Sequence, residues 1–283
     1  MTVVVVGSVN IDLVVRTPLI APPGHTVIAT GSSTGSGGKG GNQAAAVARL
    51  GGACRLIAAV GPDFDPSSLP GVDLSLVRVT AEPTGLAVVM LDSIGENAIT
   101  VVPGANALLA PADLGPFTGP PGVLLASLEV PLPAVLAAAR AARAAGWTVV
   151  LNPAPAHSLP DSLLADVDVL VPNEHELAAL GDPDDLLATG VGAVVVTLGA
   201  AGCRINRPGD VRSVPAHPVR AVDTTGAGDA FCGALAWALD TGRDLDTAVR
   251  LAVVAGALAT RAVGARAALA TAAEITAAGI TAA

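Results

Sequence analysis

The chain contains no tyrosine, and its 283 residues include only three phenylalanines and two tryptophans. Surfaces on which nucleic-acid bases could stack are therefore scarce. Basic charge is also short: 15 lysines and arginines stand against 24 aspartates and glutamates, for a formal net charge of −9. An acidic chain with no basic cluster is a poor nucleic-acid binder, because attraction to phosphate needs concentrated positive charge. Cysteine is limited to Cys54, Cys203 and Cys232. The count is odd and no pair has metal-ligand spacing, which argues against a disulfide framework or a cysteine-based zinc site. The three read as reduced, buried, small apolar residues, as expected in the cytoplasm. Long apolar runs are missing although 52% of the residues are hydrophobic. Leu251 to Ala259 is too short to cross a bilayer, and Ala134 to Leu151 is interrupted by Arg140 and Arg143. The start, Met1-Thr2-Val3-Val4-Val5-Val6, has no basic lead and reads as a strand, so no signal peptide and no membrane partner are expected.

What the chain does contain is an alternation of short β-branched runs with alanine-rich helical patterns. Val3 to Val6, Arg55 to Val60, Val123 to Ala126, Thr148 to Leu151, Val167 to Val171 and Ala193 to Leu198 read as buried strands. Gly41 to Leu50, Pro133 to Ala145, Glu174 to Leu180 and two segments from Ala227 and Asp246 read as helices. Such alternation predicts a mainly parallel sheet covered by helices on both faces. Ile11 to Val15, Thr26 to Thr34, Gly85 to Leu91 and Ala98 to Val102 do not fit that alternation. They are expected to form a small separate sheet over the carboxyl edge of the large one, where ligands bind in such folds. The segment Val211 to Val222 reads as β-rich, and the alanine-rich tail from Ala267 as helix.

The most informative run is Asp223-Thr224-Thr225-Gly226-Ala227-Gly228-Asp229, directly before a strongly apolar helical pattern. Small residues at a helix start leave backbone N–H groups free beside the positive end of the helix dipole, which suits an anion such as phosphate. A carboxylate is unwelcome beside a phosphate unless a proton acceptor is needed there, as phosphoryl transfer to a hydroxyl requires. The alternative is that Asp223 or Thr225 caps the helix and Asp229 merely lies in its first turn.

A glycine-rich loop, Gly35-Ser36-Gly37-Gly38-Lys39-Gly40-Gly41-Asn42-Gln43-Ala44, feeds the first helix. It matches the letters of a dinucleotide fingerprint, but no buried strand of a βαβ unit precedes it directly. It fails as a P-loop because position 33 is serine and position 40 is glycine. The loop offers close backbone approach for a polyol, one cation and one amide. Asn10 and Asp12, two apart on an extended segment, face the same way. The histidines His25, His157, His175 and His217 are scattered and show no ligand spacing.

In order along the chain, these pieces resemble the PfkB family of carbohydrate kinases, on its ribokinase-like side. The resemblance is carried by Gly7-Ser8-Val9-Asn10-Ile11-Asp12, Gly37 to Ala44, Gly95-Glu96-Asn97, Gly104-Ala105-Asn106 and Leu128-Glu129-Val130-Pro131. It continues through Asn152-Pro153-Ala154-Pro155-Ala156, Pro172-Asn173-Glu174-His175-Glu176, Thr197 to Gly202 and Asp223 to Asp229. It implies one ribokinase-like domain over 1–283, a three-layer αβα sandwich with a β-sheet lid from segments about 11–34 and 84–104. It also implies transfer of the γ-phosphoryl group of ATP to a primary hydroxyl of a small sugar, D-ribose first. Deoxyribose, fructose or a nucleoside such as pseudouridine are the alternatives, and a catalytically silent sugar- or nucleotide-binding regulator stands further off. By the resemblance, Asp229 is the base and Gly226, Ala227 and Gly228 form the anion hole. Asn10, Asp12, Gly38, Lys39, Asn42 and Glu129 hold the sugar. Asn173, Thr197, Gly199, Gly202 and Gly228 line the nucleotide, and Asp229 also contacts the sugar. Glu176 holds Mg²⁺ through water, and Asp223 and Thr225 hold K⁺ with carbonyls near Gly264. A homodimer through the lid is implied as well. Two departures stand out: the segment after Asp63 is short, and Val253 stands where similar chains carry asparagine.

Overall fold

The computed structural model describes residues 2–278. The chain begins with β1 (Val3–Val6), passes through β2 (Asn10–Arg16) and β3 (Gly31–Gly37), and enters α1 (Lys39–Arg49). Next come β4 (Cys54–Val60), β5 (Val72–Val79), β6 (Gly85–Leu91), β7 (Asn97–Val102) and β8 (Val123–Ser127). The second half alternates: α2 (Leu132–Ala144), β9 (Thr148–Asn152), α3 (Asp161–Leu164), β10 (Val169–Leu170), α4 (Glu174–Leu180), α5 (Pro183–Ala188) and β11 (Ala193–Thr197). A meander of β12 (Cys203–Arg207) and β13 (Asp210–Val214) leads to α6 (Ala227–Asp240), α7 (Leu245–Ala259) and α8 (Ala272–Ala277).

Nine strands make the main sheet in the order β13-β12-β11-β10-β9-β8-β1-β4-β5, and β11 through β5 are all parallel. Only the β11–β12 and β12–β13 pairings are antiparallel. The strand period of two divides the core. Val3, Val5, Leu56, Leu125 and Val195 face a layer formed with α1, α6 and α7. Val4, Val6, Ile57, Leu124 and Val194 face α2, α3 and α5 on the other side. The expected three-layer sandwich is therefore the observed one.

The four remaining strands form a separate sheet in the order β3-β2-β6-β7, with β2 and β6 parallel and both outer pairs antiparallel. This is the small separate sheet that was expected. Its second segment starts later than expected: the strand begins at Gly31, and residues 26–29 are loop, following Pro22, Pro23 and Gly24, which suit a turn rather than a strand. Two further differences concern local chemistry. The β-rich reading of Val211 to Val222 holds only to Val214, after which Pro215 and Pro218 remove ladder donors and leave a loop. The tail is not helical from Ala267; Thr271 caps α8 through a box with Glu274, and the last part of that expectation lies outside the described residues. Between Asp63 and β5 only the 3₁₀ turn Pro66–Ser68 intervenes. Among the described residues no helix is long and apolar enough to cross a membrane.

Candidate active site

The parallel strands deliver their carboxyl ends to one edge. Ser8 follows β1, Glu129 follows β8, Asn152 ends β9, Asn173 follows β10 and Thr197 ends β11. The glycine-rich loop crosses the same edge. Most of its glycines serve approach of chain to chain rather than open space for a ligand. Gly38 has φ +83, and a Cβ there would stand 2.6 Å from the Asn10 nitrogen. A Cβ on Gly40 would stand 2.5 Å from the Gly7 carbonyl carbon. These contacts, with the Gly41 N–H donating to the Ser8 carbonyl at 2.9 Å, press the start of α1 onto the turn between β1 and β2.

α6 approaches α1 just as closely. A Cβ on Gly233 would lie 2.7 Å from both Ala46 Cβ and the Gln43 carbonyl oxygen. That approach seats Asp229, in the first turn of α6, against two amides of α1. Asn42 Nδ2 donates to Asp229 Oδ2 at 2.9 Å, and Gln43 Nε2 donates to Asp229 Oδ1 at 3.3 Å. Gln43 also donates to Asn152 Oδ1 at 3.2 Å. Burial raises the Asp229 carboxyl above its ordinary range; Lys39 and Asn42 oppose that shift and Glu129 adds to it. Burial pulls the Lys39 ammonium down, but Asp229, Glu129 and Glu176 outweigh it, so Lys39 stays charged.

The start of α6 is not capped by a side chain. Its N-cap is Gly226, held at φ +75, and neither Asp223 nor Thr225 takes that place. A side chain at 226 would meet Ala265, 2.6 Å from its Cβ. Asp223 instead closes two loops: Oδ1 accepts from the Thr225 N–H and hydroxyl at 2.9 and 2.7 Å, and Oδ2 accepts from the Gly264 N–H at 2.8 Å. These hydrogen bonds outweigh partial burial and hold its carboxyl below the ordinary range. The Gly226 and Gly228 N–H groups have no partner among the described residues, whereas the Ala227 N–H donates to the Thr224 carbonyl at 3.2 Å.

Two clefts meet at Gly228 and Thr197. The larger, about 440 Å³, is mostly apolar and is lined by Gly199, Gly202, His217, Phe231, Val253 and Gly256 among others. The smaller, about 190 Å³, is polar and lined by Lys39, Asn152, Asn173, Glu176, Asp229 and Cys232. Asn173 and Glu176 form a capping box at the start of α4: Glu176 N–H donates to Asn173 Oδ1 at 2.8 Å, and Glu176 accepts from Asn173 through both oxygens. His217 lies on the loop after β13 and lines the larger cleft.

The remaining predicted sugar ligands gather under the lid. Asn10 is buried and its Oδ1 accepts from Asn106 Nδ2 at 2.8 Å. Glu129 Oε2 accepts from the Ser8 hydroxyl at 2.5 Å and from the Lys39 N–H at 3.3 Å. Asp12 packs against Gly37, and its carboxyl is pushed up to about 6 by burial, with Arg266 opposing and Glu129 and Asp229 adding. None of Asn10, Asp12, Gly38 or Glu129 lines the smaller cleft; Asn10 and Asp12 belong to β2 of the small sheet. Sequence reasoning missed four participants. Gln43, Asn106 and Asn152 lie inside motifs it had already marked. Arg266 carried no local signal: it reaches Asn42 from 224 residues away. The three cysteines are buried and unpaired, and burial pushes the Cys54 and Cys203 thiols up to about 12, so they are inert. Among the described residues no group of three or more His, Cys, Asp or Glu is placed to hold a metal alone.

Similarity to known proteins agrees with this arrangement. The chain matches the pfkB family carbohydrate kinase over residues 1–272. It is 35% identical to the ribokinase of Haemophilus influenzae over 91% of this chain and 92% of that one. It is 36% identical to a bifunctional ribokinase/ribose-5-phosphate isomerase A of Fructilactobacillus sanfranciscensis, covering 84% of this chain but only 48% of that protein's length. The structure of Arabidopsis thaliana ribokinase complexed with ribose and ATP superposes with a TM-score of 0.86 at 31% identity, over 98% of this chain and 97% of that one. With a buried carboxylate beside an uncapped helix start, at the junction of an apolar and a polar cleft, the chain belongs to the PfkB family of carbohydrate kinases and is a sugar kinase.

Proposed function

We propose that this chain transfers the γ-phosphoryl group of ATP to the primary hydroxyl of D-ribose, giving ribose 5-phosphate and ADP. The carrying observation is the place of Asp229: buried, hydrogen-bonded by two amides, and one residue from an open N–H where the two clefts meet. The reading is supported by relatives of similar length that bear the name ribokinase.

In this reading the adenosine lies in the larger cleft and its phosphates reach the start of α6. Asp229 accepts the proton of the attacking hydroxyl, and its raised affinity for protons suits a base working near neutral pH. The free N–H groups of Gly226 and Gly228 receive the phosphoryl oxygens, and Ala227 joins them only by leaving Thr224. Lys39 brings positive charge to the transferring group. Asn10, Asp12, Gly38, Asn42 and Glu129 orient the sugar, and a polar site of this kind rejects acceptors that leave its groups unpaired.

The residues fit Mg²⁺ only as an ion carried in by the nucleotide. Glu176 already accepts two hydrogen bonds from Asn173, which suits a contact through water with an ion that keeps much of its hydration. When bound, Mg²⁺ neutralises phosphate charge. Asp223 and Thr225 bring a carboxylate and a hydroxyl oxygen together next to Gly264, and the depressed Asp223 carboxyl stays charged, which supports a K⁺ site there. Ile99 and Val101, two apart on β7 and both exposed, support a homodimer through the lid; a monomeric mass in sedimentation equilibrium would overturn that reading.

ADP release should be measured with Mg-ATP over ribose, 2-deoxyribose, fructose and nucleosides, with and without K⁺, beside Asp229→Asn. Turnover highest on ribose, stimulated by K⁺ and reduced on the order of 10²–10⁴-fold in the variant, is expected. Preference for another acceptor refutes the ribose assignment, and a variant as active as the parent refutes the base.

A further inference from the structure

Arg266 enters the site from the turn between α7 and α8, and the chemistry above makes no use of it. Its guanidinium serves three acceptors. Nε donates to Asn42 Oδ1 at 2.8 Å, Nη2 to the Gly37 carbonyl at 2.8 Å and Nη1 to the Ser68 carbonyl at 3.2 Å. Gly41 admits it: a Cβ there would collide with Nη2.

The geometry has a directional consequence. A side-chain amide can present either its oxygen or its NH₂ in a given direction. A guanidinium only donates, so Arg266 accepts Asn42 in the orientation that points Oδ1 at it. A carboxylate only accepts, so Asp229 needs the NH₂. Two one-sided partners therefore select a single state of Asn42, with Nδ2 on Asp229 at 2.9 Å. We propose that Arg266 is a positioning residue for phosphoryl transfer: it locks the Asn42 amide and thereby fixes the Asp229 carboxylate against the acceptor hydroxyl. This rests on Asp229 being the proton acceptor.

The electrostatic setting agrees. Asp229 faces Lys39, Asn42 and Gln43 from α1, Glu129 from the turn after β8, Cys232 from its own helix, Asp12 from the lid and Arg266 from the tail. Glu176 lines the same small cleft from α4. Arg266 and Lys39 are the cations in that group. Loss of Arg266 frees Asn42 to turn its oxygen toward Asp229 and removes a positive charge. Both changes disfavour the charged carboxylate, so the acid limb of the rate profile moves to higher pH. Gly37 is the last residue of β3, so the same side chain also ties the lid strand to the helix layer.

The test uses the full-length protein with Mg-ATP and ribose, and compares Arg266→Met, Asn42→Ser and the double variant across pH. The expected result is a kcat lowered about tenfold or more in Arg266→Met. Its acid limb should rise by roughly half to one pH unit. If Arg266 acts through Asn42, the double variant falls no further than Asn42→Ser alone, within about twofold. Losses that multiply, or an acid limb that does not move, overturn the proposal and leave Arg266 a structural tie. Should Arg266→Met fail to fold, the same cycle is read on Arg266→Lys, whose single ammonium cannot span three acceptors. Asp229→Asn is measured alongside. Full turnover there defeats the base itself, whereas an inactive Asp229→Asn with multiplicative Arg266 effects defeats only the relay.

Discussion

Gly228 separates what stabilises the start of α6 from what makes it useful. It lies in the first turn of the helix without a positive φ, and a Cβ built on it meets nothing within 4 Å. Both clefts border it. Gly228→Ala therefore replaces a helical glycine by the best helix former with no collision inside the protein. Removing glycine's extra freedom from a helix is worth roughly 0.5–1 kcal/mol, which for a chain of this size raises Tm by about 1–4 °C. The added methyl occupies the space through which a phosphoryl oxygen must reach the Gly228 N–H. Loss of one such donor contact costs about 2.7–4 kcal/mol of transition-state stabilisation, or 10²–10³ in kcat. The variant is thus expected to melt at or above the parent temperature while losing at least about a hundredfold in turnover. The assay is a thermal melt by circular dichroism paired with ADP release at saturating ribose and ATP. Parental turnover with the methyl in place would show that the phosphoryl group does not approach Gly228, and the anion-hole reading of α6 would fall. A lower melting temperature would contradict the open space around its Cβ.

Gly233→Val is the opposite case: its side chain would drive into Ala46 and the Gln43 carbonyl, so overpacking of about 1–3 kcal/mol is expected. Tm and turnover should fall together, because the same wedge lifts Asn42 and Gln43 off Asp229; an unchanged melt would refute this account. Asp12→Asn tests linkage. The folded pKa of Asp12 is raised to about 6, so the folded state holds more protons than the unfolded one between about 4 and 6, and stability drains as pH rises through that window. Asparagine escapes that loss, so the unliganded variant should melt above the parent at neutral pH, with the gap closing below about pH 4. Its KM for the sugar should rise, because a carboxylate that accepts hydroxyl hydrogen bonds has gone; a gap in Tm independent of pH would refute the assignment.

How far the site could be read from the chain depends on how its contacts are distributed along it. The inner part of the sheet was legible because strands such as Val3–Val6 and Ala193–Thr197 are buried and declare themselves as short β-branched runs. β5 was missed because half of its residues face water, and its polar positions Asp73, Ser75 and Arg78 break the apolar run. Asn173 and Glu176 were marked through the family resemblance, and the capping box they form, although written in four consecutive letters, emerged only with the structure. The glycines were marked for the close approach they give a polyol, and they have a second use that was not legible. Gly38 and Gly40 touch the backbone of the turn between β1 and β2, and only the folded chain reveals that neighbour. Arg266 is the limiting case. In sequence it is one arginine in a run of alanines, with the composition of a solvated helix face. Only closing α1, α6 and the tail around one carboxylate turns it into the donor that leaves Asn42 a single way to point. A group whose role is to remove a choice from another side chain leaves no pattern of its own. Such groups are to be sought where a buried amide has one partner that can only donate and another that can only accept.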